Sequence, residues 1–168
     1  MAGTTAIVRF GFVGQKPEGV SIRAWREALK AGWYAVGEYH DRVVQPRKFE
    51  SGAAGRYGYQ TRDAKYRARK QRIAAKSWRV KDGGKSDIVY SGVTRTAVTR
   101  RQYPRPFYNR VTMDIPTPSY VQMRPRRMGR PNLGHELTSV APDERNEMER
   151  IFQAVVEERI AAYSGGRK

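Results

Sequence analysis

SIRAWREALKAGWYAVGEYHDRVVQP, residues 21–46, is the stretch on which the fold turns. Ser21 is placed to cap a helix, and Ile22, Trp25, Leu29, Val36 and Val43 recur at steps of three and four or their multiples, so one face is apolar. The pattern predicts an amphipathic helix that ends near Pro46, where the proline removes a donor and restricts the residue before it. Upstream, Val8, Phe10 and Phe12 alternate with Arg9 and Gly11, which predicts a strand over Ala6 to Val13 with one buried face. Gln15 to Gly19 reads as the connecting turn.

Downstream of the helix the composition changes. Between Arg42 and Lys81 the cations Arg47, Lys48, Arg56, Arg62, Lys65, Arg67, Arg69, Lys70, Arg72, Lys76 and Arg79 face only Glu50 and Asp63. Ser51-Gly52-Ala53-Ala54-Gly55 predicts a flexible loop. Asp63 to about Trp78 has helical character, but its apolar stripe of Tyr66, Ile73 and Trp78 is thin for a core element, so 46–95 reads as a basic arm or loop. Sheet is expected next, at Ile88 to Tyr90, Val93 to Thr99 and Phe107 to Ile115, the last with Val111, Met113 and Ile115 alternating with Thr112 and Asp114. Prolines at 104, 106, 116, 118, 125 and 131 limit these strands to short or edge positions. A last helix starts at Pro142, with Asp143 and Glu144 in its first turn and Met148, Ile151, Phe152, Val155 and Ile160 on its apolar face, and ends before Ser164. Residues 164–168 read as a flexible tail. The sum is an α+β fold in one domain over 1–168: a small mixed or antiparallel sheet packed against an N-terminal and a C-terminal helix, with a long basic arm.

The 168 residues carry 33 Lys+Arg against 16 Asp+Glu, a formal net charge of +17, with no cysteine. That charge calls for an anionic partner, and the lack of cysteine removes disulfides, thiolate zinc sites and a thiol nucleophile. No apolar run approaches the ~20 residues that span a bilayer, and the amino terminus has no secretory pattern, so a protein made and used without secretion or membrane is expected.

Enzyme signatures are missing. His40 and His135 have no partner at metal-binding spacing, Ser91-Gly92 lies in no GxSxG elbow, and Gly84-Lys85-Ser86 has Arg79 where a Walker A loop needs glycine. The carboxylates Glu144, Glu147, Glu149, Glu157 and Glu158, interleaved with Arg145, Arg150 and Arg159, read as a solvated helix face or a surface for a basic neighbouring subunit. No catalytic residue, metal ligand or cofactor is expected.

The chemistry-bearing pattern is basic and aromatic. Arg56, Arg62, Lys65, Arg67, Arg69, Lys70 and Arg72, with Arg124, Arg126 and Arg127 further on, are candidates for contacting DNA or neighbouring subunits. Tyr57, Tyr59, Tyr66 and Trp78 are the candidate intersubunit aromatics. No zinc finger, helix-turn-helix or RNA-recognition motif is present, so binding to nucleic acid would be sequence-independent.

Arg47-Lys48-Phe49, then Gly55-Arg56-Tyr57-Gly58-Tyr59-Gln60-x-Arg62, Tyr66, Arg69-Lys70, and Val89-Tyr90-Ser91-Gly92 with Thr94-Arg95, together resemble a family of tailed-bacteriophage proteins that join head and tail. Ser91 and Val93 stand where that family usually has Thr and Leu. Glu136-Leu137-Thr138 leading to Pro142-x-Glu144 is similar to the family's last helix. The resemblance spans roughly Val20 to Tyr163 and implies a neck, tail-completion or tail-terminator protein of the virion, assembled in the host cytoplasm. It implies a small α+β subunit in a ring, expected as a hexamer, around the DNA channel, touching other head–tail connector and tail-tube proteins and possible packaged DNA. The competing expectation is a basic, sequence-independent nucleic-acid-binding protein of ribosomal or nucleoid type. An enzyme such as a nuclease comes last, because no metal-binding acidic cluster was found.

Overall fold

The computed structural model describes residues 4–11, 15–50, 52–59, 64–74, 76, 93–100, 102–117 and 133–165. Along them run strand β1 (Thr4–Gly11), helix α1 (Ile22–Tyr39), a π-helical turn (His40–Val44), and short helices α2 (Gln45–Arg47) and α3 (Ala53–Tyr57). Helices α4 (Ala64–Ala74) and α5 (Val93–Val98), strands β2 (Arg105–Pro106) and β3 (Arg110–Thr117), and helices α6 (Leu133–Thr138) and α7 (Pro142–Gly165) follow. The fold is α+β: an antiparallel sheet of order β1-β3-β2, with helices in the N-terminal and C-terminal regions. β3 is central, pairing from Thr4↔Thr117 to Gly11↔Arg110 with β1, and through Arg105↔Thr112 and Pro106↔Val111 with β2.

The 21–46 stretch folds as its pattern predicts at the start. The Ser21 hydroxyl accepts a hydrogen bond from the Ala24 N–H at 3.2 Å and caps α1. Ile22, counted on the apolar stripe, is instead exposed, because it precedes the first turn that meets the core. Beyond it the buried positions fall in pairs, 28/29, 32/33, 36/37, 40/41, 44/45 and 48/49, a strict period of four. An α-helix turns about 40° too far for such a repeat at every step. The π turn, marked by the Gln45 N–H bonding back to His40 O, winds more slowly and returns His40, Val44 and Gln45 to the buried side. The chain therefore runs past Tyr39 without a break and passes Pro46 within α2.

Two apolar clusters meet on β3. Val111 and Met113 pack with Ala28, Leu29, Trp33 and Val36 of α1, Val44, and Met148, Phe152 and Val156 of α7. Ile115, on the same strand face, packs with Phe49, Ala53, Tyr57, Tyr59, Val98, Leu137 and Ala141. The alternation read at Val111, Met113 and Ile115 is the buried face of β3. On α7 the buried row is Met148, Phe152 and Val156, with Ile151, Val155 and Ile160 half-buried, so the stripe sits one position round from the expected one. The helix also continues to Gly165, into the expected tail.

Two expectations are corrected. Val93 to Thr99, rich in β-branched residues and expected as a strand, is helix α5. Val98 is buried against the second cluster, the Gln102 side chain donates to Val98 O, and Thr99 Oγ1 donates to Arg95 O, so tertiary packing overrides β-propensity. The flexible loop expected over Ser51 to Gly55 is largely replaced by α3, set between Gly52 (φ 89°) and Gly58 (φ 62°). Both flanking residues need the left-handed backbone that glycine supplies, and Ala53 and Tyr57 are held in the core. The strand expected at Ile88 to Tyr90 lies outside the described residues.

Gly32 and Gly37 set how closely α1 can be approached. A Cβ on Gly32 would lie 2.8 Å from Phe152 Cδ2 and 2.8 Å from Val156 Cγ2, and one on Gly37 would meet the Pro104 ring. In an open helix, Gly→Ala stabilises by about 1 kcal/mol. Here Gly32→Ala and Gly37→Ala are each expected to destabilise by about 1–3 kcal/mol through overpacking, read as a lower urea midpoint at unchanged m-value.

Candidate functional site

The first part of the expected basic arm or loop 46–95, residues 46–50 and 52–59, is packed into the core instead. At its centre is the Glu144 carboxylate, 1% exposed as a residue. Glu144 is the third residue of α7, and its Oε2 accepts from the Ala141 N–H at 3.1 Å, so it closes one half of a capping box on its own helix. Its Oε1 accepts from the Tyr57 hydroxyl at 2.7 Å and from Arg56 Nε at 3.3 Å, with an Arg47 guanidinium nitrogen 3.7 Å away. The Arg56 guanidinium also pairs with Asp143. Arg47, Arg56 and Tyr57 thus tie the 47–57 segment to the start of α7.

Lys48 is fully buried beside this carboxylate. Its Nζ donates to Leu137 O and to Ser139 O, both at 2.6 Å, and lies 5.5 Å from the centroid of the Tyr57 ring. A cation at the C-terminal end of α6 meets carbonyls that the helix leaves without partners. Burial pushes the Lys48 ammonium down to about 7, with the Glu144 charge opposing that shift. His40, fully buried on the π turn, is pushed down to about 3 by burial and then by the Lys48 charge. The Tyr57 hydroxyl moves the other way, raised by burial and by its hydrogen bond to Glu144. Tyr57 and Tyr59 stack with centroids 5.7 Å apart, and the Tyr59 hydroxyl donates to Lys48 O.

Next to this network an open cleft of about 410 Å³ is lined by Arg47, Glu50, Gly52, Ala53, Arg56 and Asp143. Its two guanidinium groups face two carboxylates, so it concentrates neither charge. Among the described residues no group of three His, Cys, Asp or Glu side chains is placed to hold a metal ion, and no helix is long and apolar enough to cross a membrane.

The predicted candidates therefore separate. Tyr57 and Tyr59 are buried in the core, and Arg56, itself exposed, is engaged by Glu144 and Asp143. Lys65, Arg67, Arg69 and Arg72 stand exposed on α4, where Tyr66 is half-buried. Arg62, Trp78, Arg124, Arg126, Arg127 and the side chain of Lys70 lie outside the described residues. Sequence reasoning missed the roles of Lys48 and Glu144. Glu144 had a readable signal, its place three residues beyond the helix cap, whereas nothing local marks Lys48 as buried. No protein family matches the chain, and no curated protein or solved structure matches it either.

Removing the Glu144 carboxylate strands the buried Lys48 cation and the Tyr57 hydroxyl. Glu144→Ala is expected to cost about 3–5 kcal/mol and Tyr57→Phe about 1–2 kcal/mol, in chemical denaturation. The pH dependence follows from proton counts. Between pH 7 and 10.5 an unfolded Lys48 holds a proton that the folded one releases, so stability rises with pH, by at most about 1.4 kcal/mol per unit. Tyr57 reverses the trend above pH 10, where only its unfolded form ionises readily. His40 adds a loss as pH falls from 6.5 toward 3. Urea midpoints should climb from pH 7 to 10 in the natural chain, and Lys48→Met should flatten that climb.

Proposed function

We propose that the chain is a non-enzymatic structural subunit of a tailed-bacteriophage virion, a neck or tail-completion protein of the head–tail joint that assembles as a ring around the DNA channel. The observation that carries this reading is where the family-like pieces meet. Lys48-Phe49, Arg56-Tyr57-Gly58-Tyr59, Leu137 and Glu144 are scattered over about a hundred positions, yet they converge in one cluster of hydrogen bonds and apolar contacts. Pieces that build one another's environment in this way support a role in holding the fold rather than in catalysis.

The charge supports the same reading. With Arg47 and Arg56 engaged by Glu144 and Asp143, a subunit of +17 still presents a basic helix outside its core. Such a subunit suits a site lined by nucleic acid, and self-repulsion between copies is relieved there. The basic helix also favours the second reading, a free-standing nucleic-acid-binding protein, which predicts tight binding by the monomer.

Mass photometry and negative-stain microscopy of the purified protein, alone and with neck and tail-tube partners, are expected to show closed rings of one size. Monomers under every one of those conditions would sink the ring reading.

A further inference from the structure

Helix α4 reads AKYRARKQRIA, with five cations and no carboxylate in eleven residues. At about 100° per residue, Lys65, Arg69 and Arg72 fall within about 60° of one another, a single stripe along about 10 Å of helix axis. All three are exposed, and exposed Lys76 follows beyond the helix end. Like charges at i,i+3 and i,i+4 repel along this stripe, and an isolated helix of this length is marginal in water. An anionic partner would relieve that repulsion and stabilise a helix of this composition.

A second copy of the chain is poorly suited to supply it. Among the described residues Glu27 pairs with Lys30, Glu38 with Arg42, Asp114 with Arg105, Glu147 with Arg150, and Asp143 and Glu144 with Arg56. Of the other exposed carboxylates, Glu50 shares a cleft with Arg47 and Arg56, Glu18 lies two residues from exposed Lys16, and Glu149, Glu157 and Glu158 lie on α7 together with exposed Arg145 and Arg159. More decisively, every copy brings +17, so no assembly of identical copies discharges itself.

We infer that the Lys65/Arg69/Arg72 stripe of α4 binds the phosphate backbone of nucleic acid, without reading sequence, while Arg47 and Arg56 are engaged by Glu144 and Asp143. Three cations over about 10 Å face one phosphate per about 3.4 Å along each strand of duplex DNA, so each can meet its own phosphate. The inference deepens the proposed function, resting on its placement of the subunit against DNA, and assigns which part of the basic segment faces that DNA.

The test uses the full chain and a labelled random 30-base-pair duplex, with anisotropy titrations from 50 to 300 mM KCl and mass photometry in parallel. The triple variant Lys65→Gln/Arg69→Gln/Arg72→Gln is expected to bind roughly 100-fold more weakly at 0.1 M salt and to lose about 2–3 from the magnitude of the log K against log[KCl] slope. Its thermal midpoint and particle size should match the natural chain, and Arg145→Gln/Arg159→Gln on α7 should leave affinity nearly unchanged. DNA binding should also raise the far-ultraviolet helix signal of the natural chain and not that of the triple variant. Unchanged affinity in the triple variant overturns the inference, as does loss of the ring on removing the stripe, which would make α4 a subunit interface. Binding to polyglutamate with indifference to DNA overturns it in favour of an acidic protein partner. A monomer that still binds DNA through the stripe supports the inference while removing the ring reading.

Discussion

The buried Glu144 carboxylate is the constraint from which the rest of this subunit's organisation follows. A carboxylate withdrawn from water is costly unless its lone pairs are filled and its charge is met. Here the backbone of its own helix start, the Tyr57 hydroxyl, Arg56 and the nearby Lys48 and Arg47 supply those partners. Apart from that backbone N–H, all of them come from the 47–57 segment, so satisfying one anion draws this segment onto the corner between α6 and α7. The apolar residues around it, Phe49, Tyr59, Leu137 and Ala141, exclude water and strengthen every one of those contacts.

That network is reachable only because the first long helix does not stop where an ordinary α-helix would drift off the core. The four-residue repeat of buried positions, corrected by the π turn, carries one continuous path from Ala28 through His40 and Val44 to Lys48 and Phe49. β3 then joins the two apolar clusters, Val111 and Met113 serving one and Ile115 the other. Gly32 and Gly37 permit the close approach of α7 and of Pro104 that this arrangement demands.

The positive charge is consequently divided into two kinds. Lys48 is buried against helix-end carbonyls, and the half-buried Arg47 and exposed Arg56 face the Glu144 carboxylate from the edge of the core. Lys65, Arg67, Arg69 and Arg72 remain exposed on α4. The core thus answers part of the positive charge, and the exposed basic helix carries another part into solvent.

The sequence by itself determined the long helix from Ser21, the alternating face of β3, the capped start of the last helix and the α+β class, because each rests on local periodicity and end chemistry. It also located the basic, aromatic segment. Only the tertiary structure decided that Tyr57 and Tyr59 are core residues, that 93–98 is helix, and that Lys48 is buried. Those outcomes depend on partners some ninety positions away in the chain, Leu137, Ser139 and Glu144, or on packing against Phe49 and Ile115. A lysine in a run of lysines and arginines looks solvated until the fold brings two carbonyl oxygens and a carboxylate to it, and no local pattern encodes that meeting.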